Sequence, residues 1–457
     1  MMTTPDALFS LVDSSADEVV TLLADLIRFE TVNTGVMPTG NELPLCQYLQ
    51  RRLAAEGIDS QILCSADNRG NLIARLAGSR GSCRSSPRLL YMGHTDVVPV
   101  EDPAEWRYPP FSGTVADGRV WGRGAADMKD MVAAEVMALI FLRRAGVALR
   151  GDLILAAGAD EETGGEYGFG WLAKNAPEAI LADYAINESG GGPIPTPGGL
   201  VYTVNTGEKG RLEAHITLRG KATHAASPWM GDNPAFKLAE VLRRLQAWQP
   251  EIDVSGELFA HLPALLGRAD AITAQNVDAL ADALAQVSRS LGSAVRGLSR
   301  MTLTPTMVFG GVKSNSVPAS CRLVCDVRTL PHQDEAYVRR QIDDVLAGID
   351  GASYELIYTA APNASPYDTL LTAALQRATA LAADRNDLRW LPSLTTGFTD
   401  SRLVRPLGIV TYGFSPGHPA ADLNHPAGVH GANESSEVAT LLFRTKLLLA
   451  LALDLLG

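Results

Sequence analysis

LLYMGHTDVVPVEDPAEWRYPPFSGTVADGRVWGRGAADMKD, residues 89–130, is the stretch whose reading decides the fold. It opens with an apolar run, Arg88–Gly93, that has the pattern of a buried strand. His94 and Asp96 stand at the end of that strand, one residue apart. A loop rich in glycine and proline leads to Gly122-Arg123-Gly124 and Asp127. Met128–Leu142 is then apolar nearly all round, which predicts a buried helix. A histidine and carboxylates at strand ends and loop tips are what a metal-centred hydrolytic site needs.

Upstream, Ser15-Ala-Asp-Glu18 has the form of a capping box, and Val19, Leu22, Leu23, Leu26 and Ile27 repeat at helical spacing. A second helix is expected over about Glu42–Gly57, then short strands near Ser60–Cys64 and Asn71–Ala77. Ser79–Pro87 reads as an exposed loop. Downstream, the buried strand Gly151–Ala159 runs into Asp160-Glu161-Glu162-Thr163-Gly164-Gly165, and a shorter one, Asp183–Ile186, into Asn187-Glu188-Ser189-Gly190. Each of these strands ends on histidine or carboxylate. Ligands of open α/β sheets bind at the carboxyl ends of strands, so these tips are expected to converge.

After the Gly/Pro-rich Gly190–Gly199 the pattern changes. Strand, helix, strand, strand, helix and strand are expected at Arg211–Leu218, Pro234–Trp248, Thr302–Phe309, Ala319–Leu330, Glu335–Leu346 and Ser353–Tyr358. That is the order of a ferredoxin-like unit. A helical insertion of about 250–300 interrupts it. The expected organisation is an α/β catalytic domain (1–207 and 361–457) with a mixed sheet, interrupted by a ferredoxin-like α+β lid and dimerisation domain at 208–360.

The composition is that of a globular protein: 457 residues, 46% hydrophobic and 20% charged. With 39 basic against 51 acidic residues, the net charge of −12 argues against nucleic acid and anionic membrane as partners. Five cysteines (Cys46, Cys64, Cys83, Cys321 and Cys325) form no CxxC pair, which suits a reducing compartment. Cys321 and Cys325 are expected on one side of a strand. No basic-then-apolar leader opens the chain, and KLLLALALDLLG near its end is too short to span a bilayer, so the expected location is cytoplasmic.

His94, Asp127, Glu161, Glu162 and Glu188 all lie where a strand stops or a helix starts. Consecutive Glu161 and Glu162 cannot point the same way from an extended backbone, so one can bind metal while the other faces a water. A mixed histidine and carboxylate set suits zinc, and also cobalt or manganese. A histidine far down the chain would complete a symmetric pair of ions.

GHTDVVP, GRGAADMK, DEETGG and VHGANE, in this order, resemble the dinuclear zinc hydrolase family of acetylornithine deacetylases, succinyl-diaminopimelate desuccinylases, aminoacylases and glutamate carboxypeptidases. The resemblance covers about Phe29 to Glu437. It implies two divalent ions, with His94 and Glu188 as ligands of the first and Glu162 and His430 as ligands of the second. His418 and His425 are the nearby competitors of His430. Asp127 resembles the carboxylate bridging both ions, Asp96 the carboxylate that orients His94, and Glu161 the general base. A cis peptide after Asp127 is also implied. In the lid, His224 (ATHAASPWMGDNP) resembles a histidine that reaches the partner subunit's active site. Asn315, Arg328 and, in the atypical GFTDSR, Arg402 resemble substrate-carboxylate binders. Asp130 stands where many members have glycine. Arg123 and Lys129 read as aligning the loop around Asp127.

What the resemblance implies is amide hydrolysis of an N-acyl amino acid or small peptide by a homodimer. Within the same family a dipeptidase or carboxypeptidase is the nearer rival. From another class, a non-catalytic binding or scaffold dimer is the alternative, disfavoured by the full set of ligands and base.

Overall fold

The structure, a computed structural model, describes residues 4–79, 86–196, 198–267, 270–287, 289–422 and 427–457. Cys83 and His425 lie outside the described residues. The chain forms two compact units. The first comprises Met1–Thr206, Ser365–Ser393 and Thr399–Gly457; the second comprises Gly207–Ala364 and Leu394–Phe398.

The first unit is built on a mixed sheet. Its strands lie in the order Ser60–Ala66, Arg69–Leu76, Leu153–Gly158, Leu89–His94, Tyr184–Asn187, Val410–Gly413 and Gly199–Glu208. The central four are mutually parallel, and antiparallel neighbours flank them. Leu153–Gly158 and Leu89–His94 are buried at every position, as strands covered on both faces must be. The register pairs His94 with Gly158 and Gly413 with Asn187. The carboxyl ends of the parallel strands therefore come level at one edge of the sheet.

Helix Lys129–Arg144 is buried from Lys129 through Leu142. It packs on strand Leu89–His94 and against helices Ala16–Ile27 and Val438–Leu456. Gly93 makes the approach possible: a Cβ there would stand 2.8 Å from Met128 Cε and 2.9 Å from Val132 Cγ2. Lys129 is fully buried and donates to the carbonyls of Leu26 (3.1 Å) and Phe29 (2.8 Å), satisfying the open end of helix Ala16–Ile27. The expected capping box at Ser15 is not formed. A helix already runs over Pro5–Ser14, Ser15 makes no side-chain cap, and Glu18 is drawn instead to Arg52 and Arg144. Two guanidinium partners outbid one backbone N–H for that carboxylate. No helix among the described residues is long and apolar enough to cross a membrane.

The second unit holds a four-stranded antiparallel sheet in the order Thr302–Gly310, Ser320–Thr329, Gly210–Arg219, Ala352–Ala360. In chain order this is strand two, three, one, four, the ferredoxin-like arrangement. Alternate residues Leu212, Ala214, Ile216 and Leu218, with Cys321, Leu323, Cys325 and Val327, face helices Pro234–Ala247 and Glu335–Leu346. Cys321 and Cys325 thus share the core side, and burial pushes the Cys325 thiol up to about 12. The segment of about 250–300 forms helices Glu257–Leu265, Val277–Val287 and Arg289–Leu298. Buried Lys209 donates to the carbonyls of Gly297 (2.5 Å) and Arg300 (2.7 Å), closing the last of them.

Candidate metal centre

Within the first unit, Asp127 is the hub. Its Oδ1 lies 3.0 Å from His94 Nε2, and its Oδ2 lies 3.1 Å from His430 Nε2. Glu188 Oε1 stands 3.9 Å from His94 Nε2, and Glu162 Oε2 stands 3.3 Å from His430 Nε2. Two groups result, His94–Asp127–Glu188 and Asp127–Glu162–His430, each with its ligand atoms mutually within 4.8 Å. They share Asp127, one oxygen to each side.

Local structure explains the placement. His94 and Glu188 continue adjacent parallel strands. Asp127 stands two residues before the buried helix, and the Asp127–Met128 peptide is cis. His430 and Asn433 have φ of 61° and 62°, so the VHGANE turn is tightly folded. His94 Nδ1 lies 3.0 Å from the Asp96 carbonyl and 3.5 Å from its carboxylate, which leaves Nε2 for the centre. The Asp96 carboxylate also accepts from the backbone N–H of Glu161 (3.1 Å), the N–H of Glu162 (3.2 Å) and Asn33 Nδ2 (2.8 Å). One buried side chain therefore orients both the histidine and the glutamate pair.

Behind it runs a charged chain. Arg69, fully buried, pairs with Glu42 and Asp160 at 2.9 Å each, and Asp160 Oδ1 accepts from Asn33 at 3.0 Å. Sequence reading passed over Asn33, Arg69 and Glu42, which belong to no quoted motif. Asp160 was visible in DEETGG but carried no role.

The electrostatics suit cations. Burial, and then Glu188, hold the Glu161 carboxyl well above the usual range; burial, and then Asp127, do the same to Glu188. Burial also works against ionised Asp127, but His430 and His94 pull it below its ordinary value. Hydrogen bonds to Asp127 and Glu162 raise His430 to about 10. Carboxylates gathered around two imidazoles make a setting that divalent ions are suited to fill. Glu162 Oε1 is a buried acceptor with no hydrogen-bond partner. Three carboxylates and two imidazoles, with Glu161 beside them, form a donor set that fits two divalent ions.

Arg402 Nη2 donates to the Gly164 carbonyl at 2.6 Å, and Asn187 Nδ2 reaches Ser401 Oγ at 3.0 Å. The GFTDSR turn is thereby tied to the loops bearing Glu161 and Glu188. His418 packs edge-on against Phe443, and its Nδ1 accepts from Ala420 N–H; it belongs to neither ligand group. In the second unit, His224 is exposed on a two-residue ribbon opposite Ser316, and the Asn315 carbonyl accepts from Ala225 N–H at 3.0 Å. His224 and Asn315 are thus neighbours. The helix that follows is capped by Asn233's own side chain. Arg328 pairs with Asp326 at 2.8 Å and donates to the Thr396 carbonyl at 2.9 Å.

The fold and this donor set define a metal-dependent hydrolase. The pattern of peptidase family M20/M25/M40 matches residues 90–454, and the chain belongs to that family. A probable succinyl-diaminopimelate desuccinylase of Staphylococcus epidermidis is 27% identical over 366 residues, which is 79% of this chain and 81% of the relative. An M20 family metallo-carboxypeptidase of Sulfolobus solfataricus shares the fold with a TM-score of 0.67 at 19% identity, covering 95% of this chain and 99% of that one. A dinuclear metal binding peptidase of the M20 family from Bacillus subtilis aligns with a TM-score of 0.59 at 15% identity, over 97% of this chain and 99% of that one.

Proposed function

We propose that this chain hydrolyses the amide bond of an N-acyl amino acid or a small peptide, using two divalent ions, zinc in the first place. The observation that carries the reading is the split carboxylate of Asp127, one oxygen toward each histidine. His94, Asp127 and Glu188 would hold one ion, and Asp127, Glu162 and His430 the other. When bound, such ions supply Lewis acidity toward the amide carbonyl and toward water.

The remaining steps belong to the protein. Glu161 takes the proton of the attacking water and passes it to the leaving amine. Asp96 fixes the backbone of Glu161 and the tautomer of His94. His224, exposed on its ribbon, acts as the oxyanion donor in the partner subunit's site. Asn315, Arg328 and Arg402 bind the substrate carboxylate.

A homodimer through the second unit is part of this reading. Thr302–Gly310 is an edge strand, with adjacent Met307 and Val308 exposed by 51% and 57%. Unpaired edges of this kind invite a second strand. Trp229 and Phe236 add exposed apolar area. Among the described cysteines, Cys46, Cys64, Cys321 and Cys325 are free thiols, which supports a cytoplasmic location.

Zinc- and cobalt-loaded protein assayed against panels of N-acyl amino acids and dipeptides tests the reading. Turnover of acyl amino acids, abolished by chelation, is the expected result. Preference for dipeptides would move the protein to the peptidase branch. Metal binding without turnover of either panel would favour the non-catalytic alternative.

A further inference from the structure

We infer that Glu434, with Arg123 as its partner, is a positioning residue that locks the two ends of the metal centre together. This rests on the reading of the two ligand groups as a metal pair. Glu434 is 1% exposed. Its Oε1 accepts from the backbone N–H groups of Ala126 (2.9 Å) and Asp127 (3.1 Å), and its Oε2 meets Arg123 Nη1 at 2.6 Å. Its own carbonyl accepts from Gly122 N–H at 2.9 Å. Arg123 in turn reaches the carbonyl of His430 at 3.4 Å and that of Pro99 at 3.4 Å, and lies over the Trp106 ring.

The arrangement is reciprocal. The loop that carries Asp127 supplies the arginine that reaches the His430 backbone. The turn that carries His430 supplies the glutamate that holds the Asp127 backbone. Asp127 must aim two oxygens in two directions, and a peptide plane held by a buried carboxylate limits its swing. Glu434 ionised against Arg123 accepts both N–H groups without a competing donor; a neutral amide there would present its N–H₂ to a donor on one side or the other. Asn433, next in line, extends the clamp. It accepts from Arg107 N–H at 2.6 Å and donates to the Glu105 carbonyl at 3.0 Å, pinning the loop beside the centre.

Residues that orient metal ligands change affinity by about 10–100-fold when replaced. Glu434→Asp keeps the charge opposite Arg123 but withdraws it from the Asp127 backbone by one methylene. Glu434→Gln keeps the length and removes the charge. Metal-free protein is titrated with Co(II), following the visible absorption of each ion, alongside thermal melts without metal. Folded Glu434→Asp is expected to bind one or both ions at least about 10-fold more weakly, with an altered Co(II) spectrum. Glu434→Gln is expected to show the same loss if it folds. Two ions bound by either folded variant with unchanged affinities and spectrum would overturn the positioning role. Failure of both variants to fold, with or without metal, would assign Glu434 to stability alone and also overturn it. Wild-type protein that fails to take up two ions would instead sink the metal-pair reading on which this rests.

Discussion

The Oδ1 atom of Asp96 accepts the backbone N–H of Glu161 at 3.1 Å, so the proposed base stands on the residue that also faces His94. Asp96→Ala removes both supports at once. It is expected to lower metal affinity by about 10–100-fold and turnover with it. Isothermal titration with zinc checks the first effect, and turnover at saturating zinc checks whether Glu161 has also moved.

Glu161 itself belongs to neither ligand group. Glu161→Ala should therefore keep both ions and lose at least about 10²-fold in turnover, the usual scale for a general base. Metal content and steady-state rates measured on one preparation decide it. Unchanged turnover would refute the role.

The two ligand groups differ in access. The His94 side chain is 1% exposed and that of His430 is 55% exposed. A chelator is expected to strip the Glu162–His430 side first, leaving one ion per chain before none. His430→Ala should stop at one ion from the start. Metal analysis through a dialysis series would contradict this if both ions left together.

Glu135 lies in the buried helix with neither carboxylate oxygen hydrogen-bonded, and burial raises its proton affinity well above the ordinary value. Tyr91 is its titratable neighbour, and the Tyr91 hydroxyl is engaged with the Leu448 carbonyl at 2.6 Å. The folded state therefore holds a proton that the unfolded chain releases near pH 4.5. Stability from this group is fully present below that pH and falls as pH rises toward the raised folded value. Glu135→Gln should flatten the decline of melting temperature between pH 5 and 8. Parallel slopes for the two proteins would count against it.

Asp130 and Arg444 form a buried ion pair at 2.6 Å, joined by Ser436 Oγ at 2.6 Å. Arg444 also donates to the carbonyls of Ser415 and Pro416. Arg444→Met strands the Asp130 charge and should cost about 3–5 kcal/mol. Asp130→Asn combined with Arg444→Met should recover part of that loss. Denaturant unfolding of the single and double variants reads the difference.

Much of this protein was settled locally. An unbroken apolar run can only be a covered strand or helix, so Leu89–His94 and Lys129–Arg144 were legible before any coordinates. The resemblance carried by the motifs implied which residues are ligands, and the fold brings those residues into two groups that could hold a metal. The one failure was a contest between partners. Ser15 looked like a cap until Arg52 and Arg144 claimed Glu18, and no window of sequence contains those arginines beside it.

What only the tertiary structure decided is who stands behind the candidate ligands. Asn33, Arg69 and Glu434 sit far along the chain from the residues they hold, and no periodicity links them to His94 or Asp127. Buried polar groups must find partners wherever the packed fold offers them. That requirement is satisfied in space rather than along the chain. The sequence determined the chemistry at the strand tips, and packing alone chose the frame that aims it.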